Sequence, residues 1–299
     1  MTQSISTDRR AVLTRTSVAL VLSLAAACSD STSPSSQQSF EATASADLAP
    51  SAGEDVATDY SFYAGASATA VGGSFSQNTA AGTSGISASL NVPTHAAATW
   101  ISSACTYNST TQYFDCPPVT RLWHTFTVSY GLFDASNVNQ SAYDNVTTAS
   151  INFIIADTGA VLWTQFGNTF ADTSGRHRDA TVSNLQGSPD TVHIWNGHGT
   201  SAIHSVRSGQ ITKRFVFTSN DTTTDLRFRL PRDINPYPLS GTIVRNYTIT
   251  RTREASDTTT RTTTRRVVVT FDGTANASML VGTDQYILNL DTHRVTKQP

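Results

Sequence analysis

The chain has 299 residues, a formal net charge of −2 at pH 7, and charges on only 14% of its residues. Threonine, serine and alanine fill many of the positions that charged residues usually occupy. Such a nearly neutral balance carries no electrostatic signature of a nucleic-acid partner, so we expect none. The length is sufficient for one large domain.

The N-terminus has the pattern of an export signal. Arg9, Arg10 and Arg15 precede a short apolar run over residues 18–27, which ends in three alanines directly before Cys28. About twenty apolar residues are needed to cross a bilayer as a helix, so this run is too short for a stable anchor. The pattern therefore predicts a signal peptide over residues 1–27 that is removed during export by the general or the twin-arginine route.

The segment Leu24-Ala25-Ala26-Ala27-Cys28 resembles the lipobox of bacterial lipoproteins. This resemblance implies that the Cys28 thiol receives a diacylglycerol and that Cys28 becomes the first residue of the mature chain. It also implies that the membrane is a partner through these acyl chains. We therefore expect a lipid-anchored protein of the cell envelope, at the outer membrane or at the periplasmic face of the inner membrane.

The composition changes after the lipid-attachment site. Residues 28–59 are rich in small and polar residues and have few bulky apolar side chains, so little burial is available to offset the entropy of ordering. This composition predicts a flexible linker. Residues 60–299 predict a single β-rich domain. Within it, residues 60–89 mix aromatic residues with glycine, alanine and serine, which favours a loosely structured segment.

Apolar and polar residues alternate in the segments 122–130, 226–230, 266–271 and 286–290. This period of two is typical of strands with one buried face. Turn-forming residues separate the apolar segments at Asp157-Thr158-Gly159, Asn196-Gly197, Asn220-Asp221 and Asp272-Gly273. The sequence therefore predicts an all-β antiparallel meander after a disordered tether, forming a sandwich or a curved open sheet.

Two cysteines remain besides Cys28. Cys105 and Cys116 flank a polar segment with a turn expected at residues 108–111. An exported protein meets an oxidising compartment, so we expect these two thiols to form a disulfide across a hairpin.

Two fragments resemble protease segments. Residues 154–159 resemble the Asp-Thr-Gly segment of aspartic proteases, which need a second such carboxylate, and the sequence contains no second copy. Residues 196–200 resemble the histidine segment of subtilisin-like proteases, but the serine segment that should follow far downstream is missing. We therefore favour a non-enzymatic protein without a cofactor, with a hydrolase as an alternative.

Three histidines, His193, His198 and His204, lie close together in the sequence. If residues 196–199 formed a turn, His193 and His204 would share one face of a hairpin. Imidazole groups in that arrangement suit zinc or copper. The alternative interpretation is that they are structural histidines on strands.

A threonine-rich hairpin near the C-terminus carries the densest basic residues of the chain: Arg245, Arg251, Arg253, Arg261, Arg265 and Arg266. One interpretation is a contact surface for an anionic glycan, a phospholipid headgroup or an acidic protein. The other is a charged hairpin that protects a sheet edge.

Three function classes follow. The favoured one is a membrane-tethered β domain with a non-enzymatic binding or envelope-structural role. The second is a lipoprotein that handles lipids or small molecules, in which a curved sheet would enclose an apolar ligand. The third is a hydrolase, metal-dependent or otherwise.

Overall fold

A computed structural model describes residues 34–71, 77–78, 83–84, 105–121, 124–165, 168–186, 192–209, 211–230, 234–254 and 258–299. The predicted signal peptide and Cys28 lie outside these residues. The chain divides into two compact units, Met1–Phe40 and Glu41–Pro299. Of the first unit, the described part is the helical backbone from Pro34 onward. The fold and the site below belong to the second unit.

Sixteen strands are present in the described part of the chain. Their bounds are β1 Gln77–Asn78, β2 Thr83–Ser84, β3 Thr106–Asn108, β4 Tyr113–Asp115, β5 Val119–Arg121, β6 His124–Asp134, β7 Asn139–Gln140, β8 Thr148–Gln165, β9 Asn168–Ser183, β10 Val192–Ser208, β11 Thr212–Arg229, β12 Ser240–Glu254, β13 Thr258–Phe271, β14 Asn276–Val281, β15 Asp284–Asn289 and β16 Val295–Lys297. β1 pairs only with β2, and the other fourteen described strands form one antiparallel sheet.

The large sheet is a meander. From β8 to β16 every strand pairs with its neighbours in sequence, and β6 continues the sheet beyond β8 toward β4 and β3. Among the described strands, β3 and β16 are the two ends of this order, so the sheet is open. The predicted all-β antiparallel fold is confirmed, in its curved open form.

Six strands, β8 to β13, are much longer than the others. β6 pairs with β8 only as far as Gly159, and β14 pairs with β13 only from Val267 onward. The six strands therefore extend as a ribbon beyond their neighbours, by about 20 Å next to β6 and about 30 Å next to β14 at a rise of roughly 3.3 Å per residue. The connections β8–β9, β10–β11 and β12–β13 lie at this end, which we call the distal end.

One helix, α1 (Pro34–Val71), is present in the described residues. Leu48, Ala52, Val56 and Tyr63 are fully buried along one side of it, whereas Ala46, Pro50 and Ser51 are exposed. The prediction of a flexible linker over residues 28–59 is therefore wrong from Pro34 onward, and so is that of a loose segment for Tyr60–Val71. Small side chains allow the sheet to approach this helix closely, and the exposed residues Ala46, Pro50 and Ser51 are also small, so the helix lacks the strongly polar face that marks a surface helix.

The sheet curves around α1. A Cβ on Gly53 would lie within contact distance of Val295 on β16 and 3.4 Å from Leu288 on β15. Further along the helix, Tyr60 stacks on Phe228 and on Phe271, at centroid distances of 6.2 and 6.5 Å. A single helix thus contacts strands that are far apart in the sheet order. No helix in the described residues combines the length and the apolar character needed to cross a membrane.

Aromatic rings complete the core at the C-terminal part of the helix. Phe62 contacts Phe153 on β8 and Trp195 on β10 edge to face, at 5.6 and 5.7 Å between centroids. Tyr63 lies 4.8 Å from Trp195, and its hydroxyl is 3.2 Å from Thr223 Oγ1. Such pairs contribute beyond their burial, which fixes α1 against the central strands.

Three of the four predicted turns are wrong. Asp157-Thr158-Gly159, Asn196-Gly197 and Asn220-Asp221 lie inside β8, β10 and β11. Asp272-Gly273 does connect β13 to β14, and Gly273 has a φ of 89°. Two of these positions share a cause, because Asp157 and Asp221 are buried on the face that the helix covers.

The predicted disulfide is confirmed. Cys105 and Cys116 are bonded across the hairpin of β3 and β4, and both are buried. Asn108 Oδ1 accepts hydrogen bonds from the backbone N–H groups of Thr110 and Thr111, which closes the turn where it was expected.

Candidate functional site

The inner face of the sheet, which the helix contacts, has a polar centre. Six charged residues meet there, and we call them the ion cluster: Asp55, Asp59, Arg176, Arg178, Asp221 and Arg245. Two come from α1 and four from β9, β11 and β12. The aspartates of α1 are four residues apart, so they lie on the same side of the helix.

Arg245 and Arg178 hold the two helix carboxylates. Arg245 pairs with both, through Nη1 at 3.2 Å from Asp55 Oδ2 and through Nη2 at Asp59 Oδ2. Arg178 Nε lies 3.2 and 3.1 Å from the two oxygens of Asp59. Arg176 also pairs with Asp55, and Tyr247 donates its hydroxyl to Asp55 Oδ2 at 3.1 Å. Paired in this way, the charges tolerate burial that would otherwise be costly.

The pKa values of two buried carboxyl groups, Asp59 and Asp221, are shifted in opposite directions. Burial would raise the pKa of Asp59, but Arg178, Arg245 and Arg176 outweigh it and hold that pKa below its usual value. Burial raises the pKa of Asp221 in spite of the same neighbours. Asp221 Oδ1 is 3.1 Å from Arg178 Nη1, yet neither of its oxygens makes a hydrogen bond of good geometry. Asp221 is thus the weakly held member of the cluster.

Glycine makes room for this cluster. A Cβ on Gly199 of β10 would lie 2.5 Å from Arg178 Cδ and 2.5 Å from the carbonyl oxygen of His177. Arg178 uses that space to donate from Nη1 to the carbonyl of Thr200 at 2.8 Å. The glycine that resembled part of a protease motif is therefore explained by packing.

A second charged region lies on the same inner face, toward the distal end. Its five basic side chains, Arg207, Lys213, Arg251, Arg253 and Arg261, form what we call the distal basic face. Four are exposed and Arg261 is half-buried. They come from the four adjacent strands β10 to β13, so the face is built by sheet pairing and not by one sequence segment.

Strand register places these residues in two cross-strand rows. Lys213 is directly opposite Arg207 on one side and Arg253 on the other. Arg251 is directly opposite Arg261 in the next row. Like charges directly opposite each other disfavour an antiparallel pair unless other groups offset them.

Apolar side chains border the basic rows. The guanidinium of Arg251 lies over the ring of Phe215, with 4.9 Å between Arg251 Cζ and the ring centroid. Phe217 pairs with Ile203 and Ile249 in the next row toward the ion cluster. Among the described residues of this region, Asp172 on β9 carries an acidic side chain and lies directly opposite Ser205. The result is a cationic surface with an aromatic and aliphatic border.

The predicted basic contact residues fall into separate places. Arg251, Arg253 and Arg261 belong to the distal basic face. Arg245 does not, because it is fully buried in the ion cluster, so its prediction as a contact residue is wrong. Arg265 hydrogen-bonds Ser45 Oγ at 3.2 Å and Thr263 Oγ1 at 2.8 Å.

Arg266 is exposed on the opposite face of the sheet, since it follows Arg265 in β13. Sequence reasoning missed Arg207 and Lys213. Their nearly symmetric positions around the β10–β11 turn were the signal that could have found them.

The three candidate metal ligands are not brought together. His193 is buried on the inner face, whereas His198 and His204 are exposed. The expected turn between them does not exist, because β10 runs without interruption from Val192 to Ser208. No group of three or more histidine, cysteine, aspartate or glutamate residues in the described part of the chain could hold a metal ion. The shared face predicted for His193 and His204 is therefore wrong.

His193 instead has a core environment. Burial lowers its pKa from 6.5 to about 4, and its Nδ1 is buried without a hydrogen-bond partner. The protease-like residues are likewise apart, with Asp157 buried on β8 and His198 exposed on β10.

Comparisons with protein-family models, with curated proteins and with solved structures find no match. The functional interpretation therefore depends on the residues of this chain.

Proposed function

We propose that this protein is a non-enzymatic binding protein of the cell envelope, anchored through lipid on Cys28, that binds a polyanionic partner through the distal basic face. The observation that carries the proposal is the pair of cross-strand rows. Lys213 stands between Arg207 and Arg253, and Arg251 stands opposite Arg261. The export signal and the lipobox-like segment support the location.

The geometry favours binding over storage of a ligand inside the sheet. A carrier of lipids would need an apolar cavity on the concave side. In this structure α1 covers the apolar inner residues, as the contacts of Tyr60 and Phe62 show. A groove of about 340 Å³ at the opposite end of the strands is lined by polar groups such as Asp134, Asn137 and Gln186. These features support the binding proposal over the carrier alternative.

The test uses residues 28–299 with Cys28→Ser, so that no lipid is attached, on a column of immobilised heparin. We expect the protein to be retained at low salt and eluted by salt, because screening weakens exposed charge pairs. The double variant Arg251→Gln/Arg253→Gln should elute at clearly lower salt.

The matched control is Arg227→Gln/Arg229→Gln. These arginines are exposed and alternate with the buried Leu226 and Phe228, so they lie on the outer face and give the same change of net charge. Their variant should elute with the unsubstituted protein. If both variants shift equally, or if the unsubstituted protein is not retained, the distal basic face is not the binding site.

A further inference from the structure

We infer that two copies of this protein associate through the last residues of β8, by antiparallel pairing of residues 160–165 across a twofold axis. We call this segment the distal β8 edge. The inference goes beyond the proposed function and concerns a different surface of the second unit. It joins three observations: a strand edge with which no other described strand pairs, the absence of charge along it, and an exposed leucine at its centre.

The distal β8 edge has a neighbouring strand on one side only, within the part of the chain that the structure describes. Pairing with β6 ends at Gly159, which lies opposite His124. On the other side of β8, pairing with β9 continues to Gln165. The edge is therefore about 20 Å long, at a rise of roughly 3.3 Å per residue. The backbone N–H and C=O groups along such an edge can pair with a further strand.

The distal β8 edge lacks the features that usually prevent pairing between molecules. Sheet edges are commonly protected by very short strands, by charged side chains or by proline. β3 and β16, at the two ends of the sheet order, have only three residues each. Residues 258–265 of β13, which extend beyond β14, contain two arginines among six threonines. Residues 160–165 contain neither a charged residue nor proline.

Leu162 is a large apolar residue at the centre of this edge. Its side chain is 71% exposed, and it lies on the outer face of the sheet because it alternates with the inner positions of β8. Its neighbour on β9 is Ala171, which is too small to cover it. Burial of Leu162 against another molecule would remove apolar surface from water, which favours association.

A second copy of the same edge satisfies both the backbone groups and Leu162. Two identical antiparallel strands are related by a twofold axis, and directly opposite residues must point to the same face. With the axis at residue 163, residues 161–165 of the two copies pair, and the second copy does not reach the position of β6 opposite Gly159. Leu162 then lies opposite Thr164 of the second copy and within reach of its Leu162. Because the edge carries no charge, no like charges meet.

The experiment is analytical ultracentrifugation of residues 28–299 with Cys28→Ser over a range of protein concentrations. We expect the average mass to rise toward twice that of one chain, because so short a shared edge gives a weak interface. Leu162→Lys should abolish this rise, since a charge on an edge strand opposes pairing.

The matched control is Thr260→Lys. Thr260 is exposed on β13 at the other end of the same cross-strand row as Leu162, so the same charge is added to the opposite edge of the ribbon. This variant should associate like the unsubstituted protein. Circular dichroism verifies that both lysine variants are folded.

Oxidative cross-linking tests the register. In Leu162→Cys/Thr164→Cys, each new thiol lies opposite a thiol of the second copy, with Cα atoms about 4.5–5.5 Å apart, which a disulfide can span. A covalent dimer should form on oxidation and disappear on reduction. Thr258→Cys/Thr260→Cys places two thiols on the edge of β13 and should give almost no covalent dimer.

Three outcomes would overturn the inference. The first is a mass that stays that of one chain at every concentration. The second is a dimer that persists in Leu162→Lys, because another surface would then join the copies. The third is a continuing series of larger species, because a twofold interface closes at two copies. Retention on heparin tests a surface on β10 to β13, so this inference and the proposed function can fail separately.

Discussion

Arg178 Nε lies 3.2 and 3.1 Å from the two carboxylate oxygens of Asp59, and this contact joins the central strand β9 to α1 inside the protein. Both side chains are buried. The pair links two segments that are 119 residues apart in sequence. It is one contact of the ion cluster that fixes how far α1 is inserted along the sheet, since a shift by one helical turn would exchange the partners of Asp55 and Asp59.

Replacing Asp59 should therefore destabilise the folded protein strongly. Asp59→Asn leaves Arg178 and Arg245 with one carboxylate fewer in a buried site, and we expect the free energy of unfolding to fall by about 3–5 kcal/mol. Urea denaturation followed by circular dichroism measures this change. The control is Glu254→Gln, which breaks an exposed pair with Arg214 and should have almost no effect. Equal losses in the two variants would mean that the ion cluster does not anchor the helix.

The absence of a side chain at Gly199 should also be necessary for the stability of the fold. In Gly199→Ala the new methyl group would meet Arg178 Cδ and the His177 carbonyl oxygen at 2.5 Å. The backbone atom cannot move without disturbing β9, so we expect a loss of about 1–3 kcal/mol in unfolding free energy. Gly175→Ala on β9 is the matched control, because nothing lies within 4 Å of its added methyl group. A stable Gly199→Ala protein would contradict this packing explanation.

The buried histidine predicts a pH dependence of stability. Burial lowers the pKa of His193 from 6.5 to about 4, so the unfolded chain binds a proton more readily than the folded one in that interval. Its contribution is fully present above pH 6.5 and is lost as the pH falls toward 4. The loss amounts to about 3 kcal/mol over the whole interval.

The comparison of His193→Leu with the unsubstituted protein isolates this effect. Asp221, with its raised pKa, acts in the opposite direction, but it is present in both proteins and cancels in the difference. As the pH falls from 7 to 4, the urea midpoint of the unsubstituted protein should fall relative to that of His193→Leu. Parallel curves would show that His193 does not titrate in this way.

The disulfide should stabilise its end of the sheet. Cys105 and Cys116 enclose a short loop, for which the chain-entropy model gives about 2–3 kcal/mol. The double variant Cys105→Ser/Cys116→Ser should lower the unfolding midpoint accordingly. It should not change the elution of the protein from heparin, since the distal basic face lies on β10 to β13. A change in elution would indicate that this hairpin contributes to binding.

The alternation of apolar and polar residues determined a large part of this fold without any structure. The segments around Val128, Phe228, Val269 and Leu288 are strands with the predicted residues buried. The disulfide and the Asp272-Gly273 turn were also predictable. These features are local, because a period of two, a turn dipeptide and a short cysteine spacing depend on neighbouring residues only.

The tertiary structure decided the rest, and the reason is the helix. Residues of α1 are small and polar, so their composition predicts a linker, yet most of its described side chains are buried against the curved sheet. Asp221 and Gly199 are residue types typical of turns, yet they lie in long strands because the ion cluster needs a carboxylate and space on the inner face.

In the candidate site, too, the sequence determined some features and only the tertiary structure decided the others. The sequence indicated Arg251, Arg253 and Arg261 as a basic contact surface. Strand register alone places Arg207 and Lys213 beside them. The structure also shows that Arg245 is buried and does not belong to this surface. Local patterns determine which face of a strand is apolar. Which distant residues share that face is decided by pairing between strands, which no local pattern encodes.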